Sequence, residues 1–290
     1  MINQRKEPFF SQLSTVILLS GLLAFTATAA ELGLDAATGA ALDVALNGEH
    51  RSAENKARDK YRRPRETLEF FGFRADMTVV EVWPGGGWYT DILAPALKDN
   101  GKLYAAQYSP NPPFSYQRRY FGAFLTKLGQ NSGVFRDVVV TTLDFPYHLE
   151  IAPPGTADLV VTFRNAHNWV GPGYAKVSAD LAFQAMFDAL KPGGFLGIVD
   201  HRWPDPKTEA AVSEDGYVSE ERLTLLAENA GFEVAGRSDL NRNPKDTHDH
   251  PEGVWTLPPS FALDDTDREK YAAIGESDRL TIKFRKPVKE

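Results

Sequence analysis

Short runs of β-branched and aliphatic residues alternate along the chain with longer segments whose apolar positions recur at helical spacing. The runs fall at 78–82, 102–107, 136–142, 158–163, 195–200, 232–235 and 280–284. Strands separated by helix-length segments imply crossover connections, so the pattern predicts an α/β fold around a mainly parallel sheet. Leu159-Val160-Val161 is apolar at successive positions, as a strand covered on both faces requires. Helices are expected over 31–48, around Ile92, Leu93, Ala96 and Leu97 with Pro95 bending that helix or sitting near its first turn, over 176–190 up to a stop at Lys191-Pro192-Gly193-Gly194, and from the cap Ser219 to Ala230 before Gly231. The stretch 236–279, rich in Pro, Asp and His, predicts a long functional loop or lid. In parallel sheets ligands bind outside the carboxyl ends of the strands. That rule selects Trp83 and the glycines after it, Gln107, Asp144, the segment 164–169 and the segment 200–203 as candidates.

Composition narrows the classes. The 290 residues are 42% hydrophobic, enough for one sizeable core. A net charge of −7 makes nucleic acid and anionic membrane surfaces poor partners. The absence of cysteine excludes disulfides, a thiol nucleophile and a Cys-ligated zinc. At the N-terminus, Arg5 and Lys6 precede an apolar run and then Ala27-Thr28-Ala29-Ala30. This is the pattern of a secretory signal cleaved after Ala29 or Ala30. Its apolar stretch of about 10 residues is shorter than the ~20 that span a bilayer, so no stable membrane insertion is expected. The predicted organisation is a signal peptide over 1–29, a helical segment over 30–60 and the main domain over 61–290, located in the periplasm or secreted. Charges crowd between His50 and Arg65. Most of them read as a solvated helix face, with Arg58, Arg62 and Arg65 able to clamp a carboxylate or phosphate if that segment folds over the site.

The sequence Glu81-Val82-Trp83-Pro84-Gly85-Gly86-Gly87-Trp88-Tyr89 follows one predicted strand and opens a helix. Glycines there bring bare main chain close to a ligand, and the helix N-terminus offers free amides to an anionic group. Glycines of this kind also serve to pack a helix on a strand, so the loop alone leaves both roles open.

The glycine loop, read with Phe70-Phe71-Gly72, Leu93-Ala94-Pro95, Thr162-Phe163-Arg164-Asn165-Ala166-His167-Asn168-Trp169, Leu190-Lys191-Pro192-Gly193-Gly194, Val199-Asp200-His201-Arg202, Asn243-Pro244-Lys245-Asp246-Thr247 and Ile274-Gly275-Glu276-Ser277-Asp278-Arg279, resembles a bacterial family of predicted exported class I S-adenosylmethionine (SAM) dependent methyltransferases. The likeness covers roughly residues 49 to 287. It implies a Rossmann-like methyltransferase fold, a mainly parallel seven-stranded sheet with an antiparallel last strand, SAM as cofactor and a small-molecule acceptor. By the same resemblance Glu81, Gly85, Gly86 and Gly87 face the methionine portion of SAM, and Trp83, Arg164 and Asn165 are further cofactor-binding candidates. Gln107 stands where an acid grips the ribose, and Asp144 where an acid meets the adenine amino group. Trp83 replaces the usual first glycine of the loop.

For the chemistry, His167 is the candidate base, because its ordinary pKa lies near neutrality, with Asn168 and His201 as further catalytic candidates. Asp200 beside His201 can orient an imidazole or contribute to a metal site. Asp246, His248, Asp249 and His250 read either as solvated loop or as a divalent-ion site, and no metal ligand is assigned. Arg279 reads as a structural ion-pair partner. Trp88, Trp169, Trp203 and Trp255 join Trp83 in or beside the site loops, as pocket wall or as core. Two functions follow: a SAM-dependent methyltransferase of the cell envelope, or a non-catalytic periplasmic protein binding a small ligand or metal on the same scaffold.

Overall fold

The computed structural model describes Met1 and residues 33–174, 178–205, 208 and 213–288. The segment 1–29 read as a signal peptide lies outside the described residues apart from Met1. The strands are β1 (Thr78–Val82), β2 (Lys102–Gln107), β3 (Val139–Thr142), β4 (Ala157–Phe163), β5 (Leu190–Trp203), β6 (Val218–Ser219), β7 (Glu233–Ser238) and β8 (Arg279–Arg285). They form one sheet in the order β3-β2-β1-β4-β5-β8-β7, with β6 pairing β5 off this path. β1, β2, β3, β4 and β5 run parallel, and β8 is antiparallel to both β5 and β7. The expected seven-stranded sheet with an antiparallel last strand is present, and β6 is an eighth, two-residue addition.

Alternation along the strands sorts side chains onto two cores, because successive residues of a strand point to opposite faces. Val80, Val82, Tyr104, Ala106 and Val160 lie on one face against Ala182, Phe183 and Met186. Val79, Leu103, Leu159 and Val161 lie on the other, against Leu42, Ile92, Leu93 and Leu97. β3 is an edge strand, and its Val139 and Val140 are exposed. The helices are α1 (Ala36–Asn47), α2 (Ala53–Ala57), α3 (Asp59–Arg62), α4 (Pro64–Phe71), α5 (Thr90–Leu97), α6 (Ser115–Gln130), α7 (Ser132–Phe135), α8 (Ala166–Trp169), α9 (Ser178–Ala189), α10 (Glu220–Asn229) and α11 (Arg268–Ile274). No helix among the described residues is long and apolar enough to cross a membrane.

Two local expectations change. No loop separates α9 from β5: the strand begins at Leu190, and Lys191-Pro192-Gly193-Gly194 belongs to its first turn of pairing, with Gly193 at φ +83°. Its amide donates to the Lys286 carbonyl at 2.8 Å, so these residues are held by the chain beyond β8. The segment 239–278 is not open loop either. It carries α11 and a 3-10 turn at Gly253–Thr256. Buried Asp246 is its anchor, accepting from the Tyr217 hydroxyl, the His248 and Asp278 amides and His250 Nε2 at 2.8–3.1 Å. A carboxylate so fully engaged is a buried hydrogen-bond hub that holds His248 and His250, while Asp249 of the same cluster is exposed and accepts from Thr247 Oγ1.

Candidate active site

The sheet order reverses between β1 and β4, whose carboxyl ends lie side by side with Val82 opposite Thr162. A cavity of about 650 Å³ opens there. The residue following each strand has a left-handed backbone although neither is glycine: Trp83 at φ +50° and Arg164 at φ +62°. Such conformations cost about 1–3 kcal/mol each and concentrate at functional sites. Asn165 locks the two strand ends together. Its Nδ2 donates to the carbonyls of Val82 and Trp83 at 3.0 and 3.1 Å and to Thr162 Oγ1 at 3.0 Å.

The glycine loop divides its tasks. Gly85 and Gly86 line the cavity and Gly87 does not. Gly87, at φ +79°, is a packing glycine, since a Cβ there would sit 3.1 Å from the Phe124 ring. At Gly86 a Cβ would meet only Tyr120, at 3.6 Å. Glu81 lies beneath the loop and accepts from Thr90 Oγ1 at 2.6 Å. Burial pushes its carboxyl up to about 7.

The side chains of Trp83 and Gln107, both expected at the ligand, have turned into the protein. The Trp83 indole touches the cavity but packs among Tyr108, Phe145, Trp169 and Tyr174, at ring separations of 4.9–5.9 Å, and its Nε1–H donates to the Leu143 carbonyl at 3.0 Å. Gln107 is fully buried. Its amide donates to the Gly85 carbonyl at 2.9 Å and accepts from the Tyr108 amide at 3.0 Å, which braces the loop and keeps it off the cavity wall. Asp144 pairs main chain with His148 and does not line the cavity.

Opposite the loop stand Asn168, His167 and His201, all on the cavity wall. Asp200, with no exposure, receives His167 Nδ1–H at 2.7 Å, the His167 amide at 3.1 Å and the His201 amide at 2.7 Å. The carboxylate therefore fixes the His167 tautomer and leaves Nε2 as the free lone pair. His201 Nδ1 meets Ser277 Oγ at 2.5 Å. Burial, then the charges of His167 and Arg164, press His201 well below its ordinary pKa, so it is neutral at pH 7.

Several lining residues carry no motif of their own. Tyr116, Arg119 and Tyr120 come from one face of α6, and Tyr108 follows β2. The (i, i+4) pair of tyrosines was the available signal. Trp255, Pro258, Pro259 and Ser260 reach the cavity from the segment pinned by Asp246. Trp169 is core, and Trp203 is spent on the Asp205 carbonyl at 2.6 Å. Arg58 and Arg62 do fold over the site, while Arg65 instead pairs with Asp43 outside it. Arg279 is an ion-pair partner, joined to Glu276.

No family model matches the chain, and no curated protein does. Solved structures do. A SAM dependent methyltransferase from Aquifex aeolicus superposes with a TM-score of 0.50 at 18% identity, over 79% of this chain and 93% of that one. The [4+2]-cyclase SpnF superposes with a TM-score of 0.52 at 17% identity, over 89% of this chain and 98% of that one. One scaffold thus carries two different chemistries, and function has to be argued from the site. What these likenesses establish is architecture: the chain has the Rossmann-like fold of the class I methyltransferases.

Proposed function

We propose that the protein is a SAM-dependent methyltransferase acting on a small molecule in the cell envelope. One observation carries the reading. The cavity at the β1/β4 switch point brings the bare main chain of Gly85 and Gly86 and the carboxyl of Glu81 to one wall, and a carboxylate-oriented imidazole, His167, to another. The residues fit the cofactor's amino-acid half: Glu81 for its ammonium and the glycines for close approach. Its nucleoside half would lie on the rings of Tyr108, Tyr116 and Tyr120, in place of an acid on the ribose.

When bound, SAM supplies an electrophilic methyl group. The protein's own contribution is positioning and proton removal. His167 takes the acceptor's proton at Nε2, and Asp200 steadies the imidazolium that results through Nδ1–H. Neutral His201 bounds the same wall without competing as a cation. The segment bearing Trp255 and Pro258 covers the reacting groups from water.

Calorimetric titration with SAM and with S-adenosylhomocysteine tests the assignment. Micromolar binding is expected, and no binding at millimolar ligand sinks it. Gly86→Val should weaken that binding at least tenfold, about 1.4 kcal/mol, with an unchanged melting temperature, because only Tyr120 stands near the new side chain. Wild-type affinity in the variant would reduce the loop to a packing element.

Binding should also depend on pH in a stated direction. The ligand's ammonium needs Glu81 ionised, and that carboxyl is raised to about 7. Affinity for S-adenosylhomocysteine is therefore expected to be full above pH 7 and to fall by up to about tenfold per unit below it. A flat profile between pH 5 and pH 8 would remove Glu81 from the site.

The non-catalytic alternative has one observation in its favour: His167, Asp200 and His201 place potential ligand atoms within 4.8 Å of one another. The charges of Arg164, Arg279 and Arg62 weigh on the same spot and oppose a cation there. Metal analysis of the purified protein separates the two. The envelope location rests on the 1–29 signal, which N-terminal sequencing of the exported chain would test.

A further inference from the structure

Four guanidinium groups converge at one end of the cavity, where the buried carboxylates of Glu276 and Asp200 face them. Arg58, Arg62 and Arg279 all pair with Glu276, which is 2% exposed. Arg164, the residue held in a left-handed conformation at the end of β4, has no ion-pair partner among the described residues. Its charge is felt by Arg62 and His201, and the charges of Arg279 and Arg58 are felt by Arg164 in turn. Burial, followed by these like charges, lowers Arg164 from its ordinary value to about 10. Arg58, Arg62 and Arg164 line the cavity.

Donors are left over as well as charge. Nη2 of Arg58, Nη2 of Arg62 and Nε of Arg279 are buried without a hydrogen-bond partner. Arg62 itself is only 4% exposed. Buried polar groups are almost always satisfied, and guanidinium forks match the geometry of carboxylate and phosphate oxygens. Four positive groups face two buried carboxylates, Glu276 and Asp200, which leaves a surplus of two.

We infer that Arg58, Arg62 and Arg164 form an oxyanion subsite at the end of the cavity, and that the small molecule the protein handles carries a carboxylate or phosphate group seated there. Only in calling that molecule the methyl acceptor does the inference rest on the methyltransferase reading. The anion meets the unpaired donors of Arg58 and Arg62, offsets the remaining positive charge, and fixes one end of the molecule while its nucleophile points toward His167. Arg164 is a positioning residue in this scheme, maintained at a backbone cost by the ligand it holds.

Inorganic phosphate and succinate, titrated calorimetrically against the protein with chloride at matched ionic strength as the control, test the subsite. At least one of the two oxyanions is expected to bind at submillimolar concentration. Arg164→Asn should weaken that binding tenfold or more, and asparagine tolerates the left-handed backbone. Because Arg164 has no ion-pair partner to lose, the variant should melt at or above the wild-type temperature, whereas a purely structural arginine would lower it. Oxyanion binding no tighter than chloride, or binding unaffected by Arg164→Asn, overturns the inference. The same titration repeated with saturating S-adenosylhomocysteine assigns the source of the anion. Undiminished oxyanion affinity supports a subsite for the acceptor. Competitive displacement gives the arginines to the cofactor's own carboxylate and overturns the acceptor assignment while leaving the methyltransferase reading intact. Oxyanion binding by a protein that ignores S-adenosylhomocysteine would uphold the subsite and end the methyltransferase reading instead.

Discussion

Glu276→Gln should lower stability by about 3–5 kcal/mol, a fall in melting temperature on the order of 10 °C. The side chain keeps its shape, and the loss is electrostatic. Removing one partner of a buried ion pair leaves the other charge uncompensated, and here three arginines share one partner. The pH dependence follows with a definite sign. Burial by itself would raise the Glu276 carboxyl, but the charges of Arg279 and Arg62 hold it well below the usual carboxylate range. A carboxylate with a depressed folded-state pKa contributes stability above its unfolded value, near 4.5, and loses it as pH falls below that value. The wild type should therefore exceed the variant at pH 7, with the gap narrowing on acidification. Scanning calorimetry of both proteins across pH 3 to pH 7 is the measurement. Melting temperatures within 2 °C of each other at pH 7 would mean that the cluster is solvated. If the arginines form an oxyanion subsite, phosphate should also raise the melting temperature of the variant more than that of the wild type, since it then replaces the missing charge.

Trp83→Gly is expected to cost about 3 kcal/mol net while making room for a nucleoside. Removing a buried indole from a packed core costs about 3–5 kcal/mol, and glycine at φ +50° returns roughly 1 kcal/mol of backbone strain. The space released lies between Tyr108, Phe145 and the Leu143 carbonyl, where the indole now stacks and donates. An adenine ring entering it would stack on the same aromatics, worth about 1 kcal/mol, or roughly fivefold in affinity for S-adenosylhomocysteine. Chemical denaturation reads the first effect and calorimetry the second. A variant as stable as wild type would contradict the packing described for the indole. Unchanged affinity would keep the nucleoside on the tyrosines of α6.

The sheet was legible because each strand is short, apolar and bounded by turn residues, and because Leu159-Val160-Val161 reads as a strand covered on both faces. The position of the cavity was legible too, since the ends of parallel strands attract ligands whatever the sequence. Side-chain direction was not. Gln107 and Trp83 follow the strands expected to present them, yet hydrogen bonding to Gly85 and Leu143 turns both inward. Nothing in a linear spacing encodes that preference. Asp246 was ambiguous for the opposite reason. Carboxylate and imidazole at close spacing suit a cation and suit mutual hydrogen bonding equally, and only the Tyr217 hydroxyl and the Asp278 amide, each about 30 residues away in the chain, decide between them. The carboxylate of Glu276 was visible as a motif residue, but its partners Arg58 and Arg62 stand more than 200 positions earlier.

That separation has a bearing on how the protein comes into being. Arg58 and Arg62 are made more than 200 residues before Glu276, so the pocket's charged end stays unassembled until Glu276 has been made. A polypeptide that stops short of Glu276 lacks that end of the pocket. Any molecule that prefers the finished pocket will act as a clasp, drawing α3 and the segment that leads into β8 together.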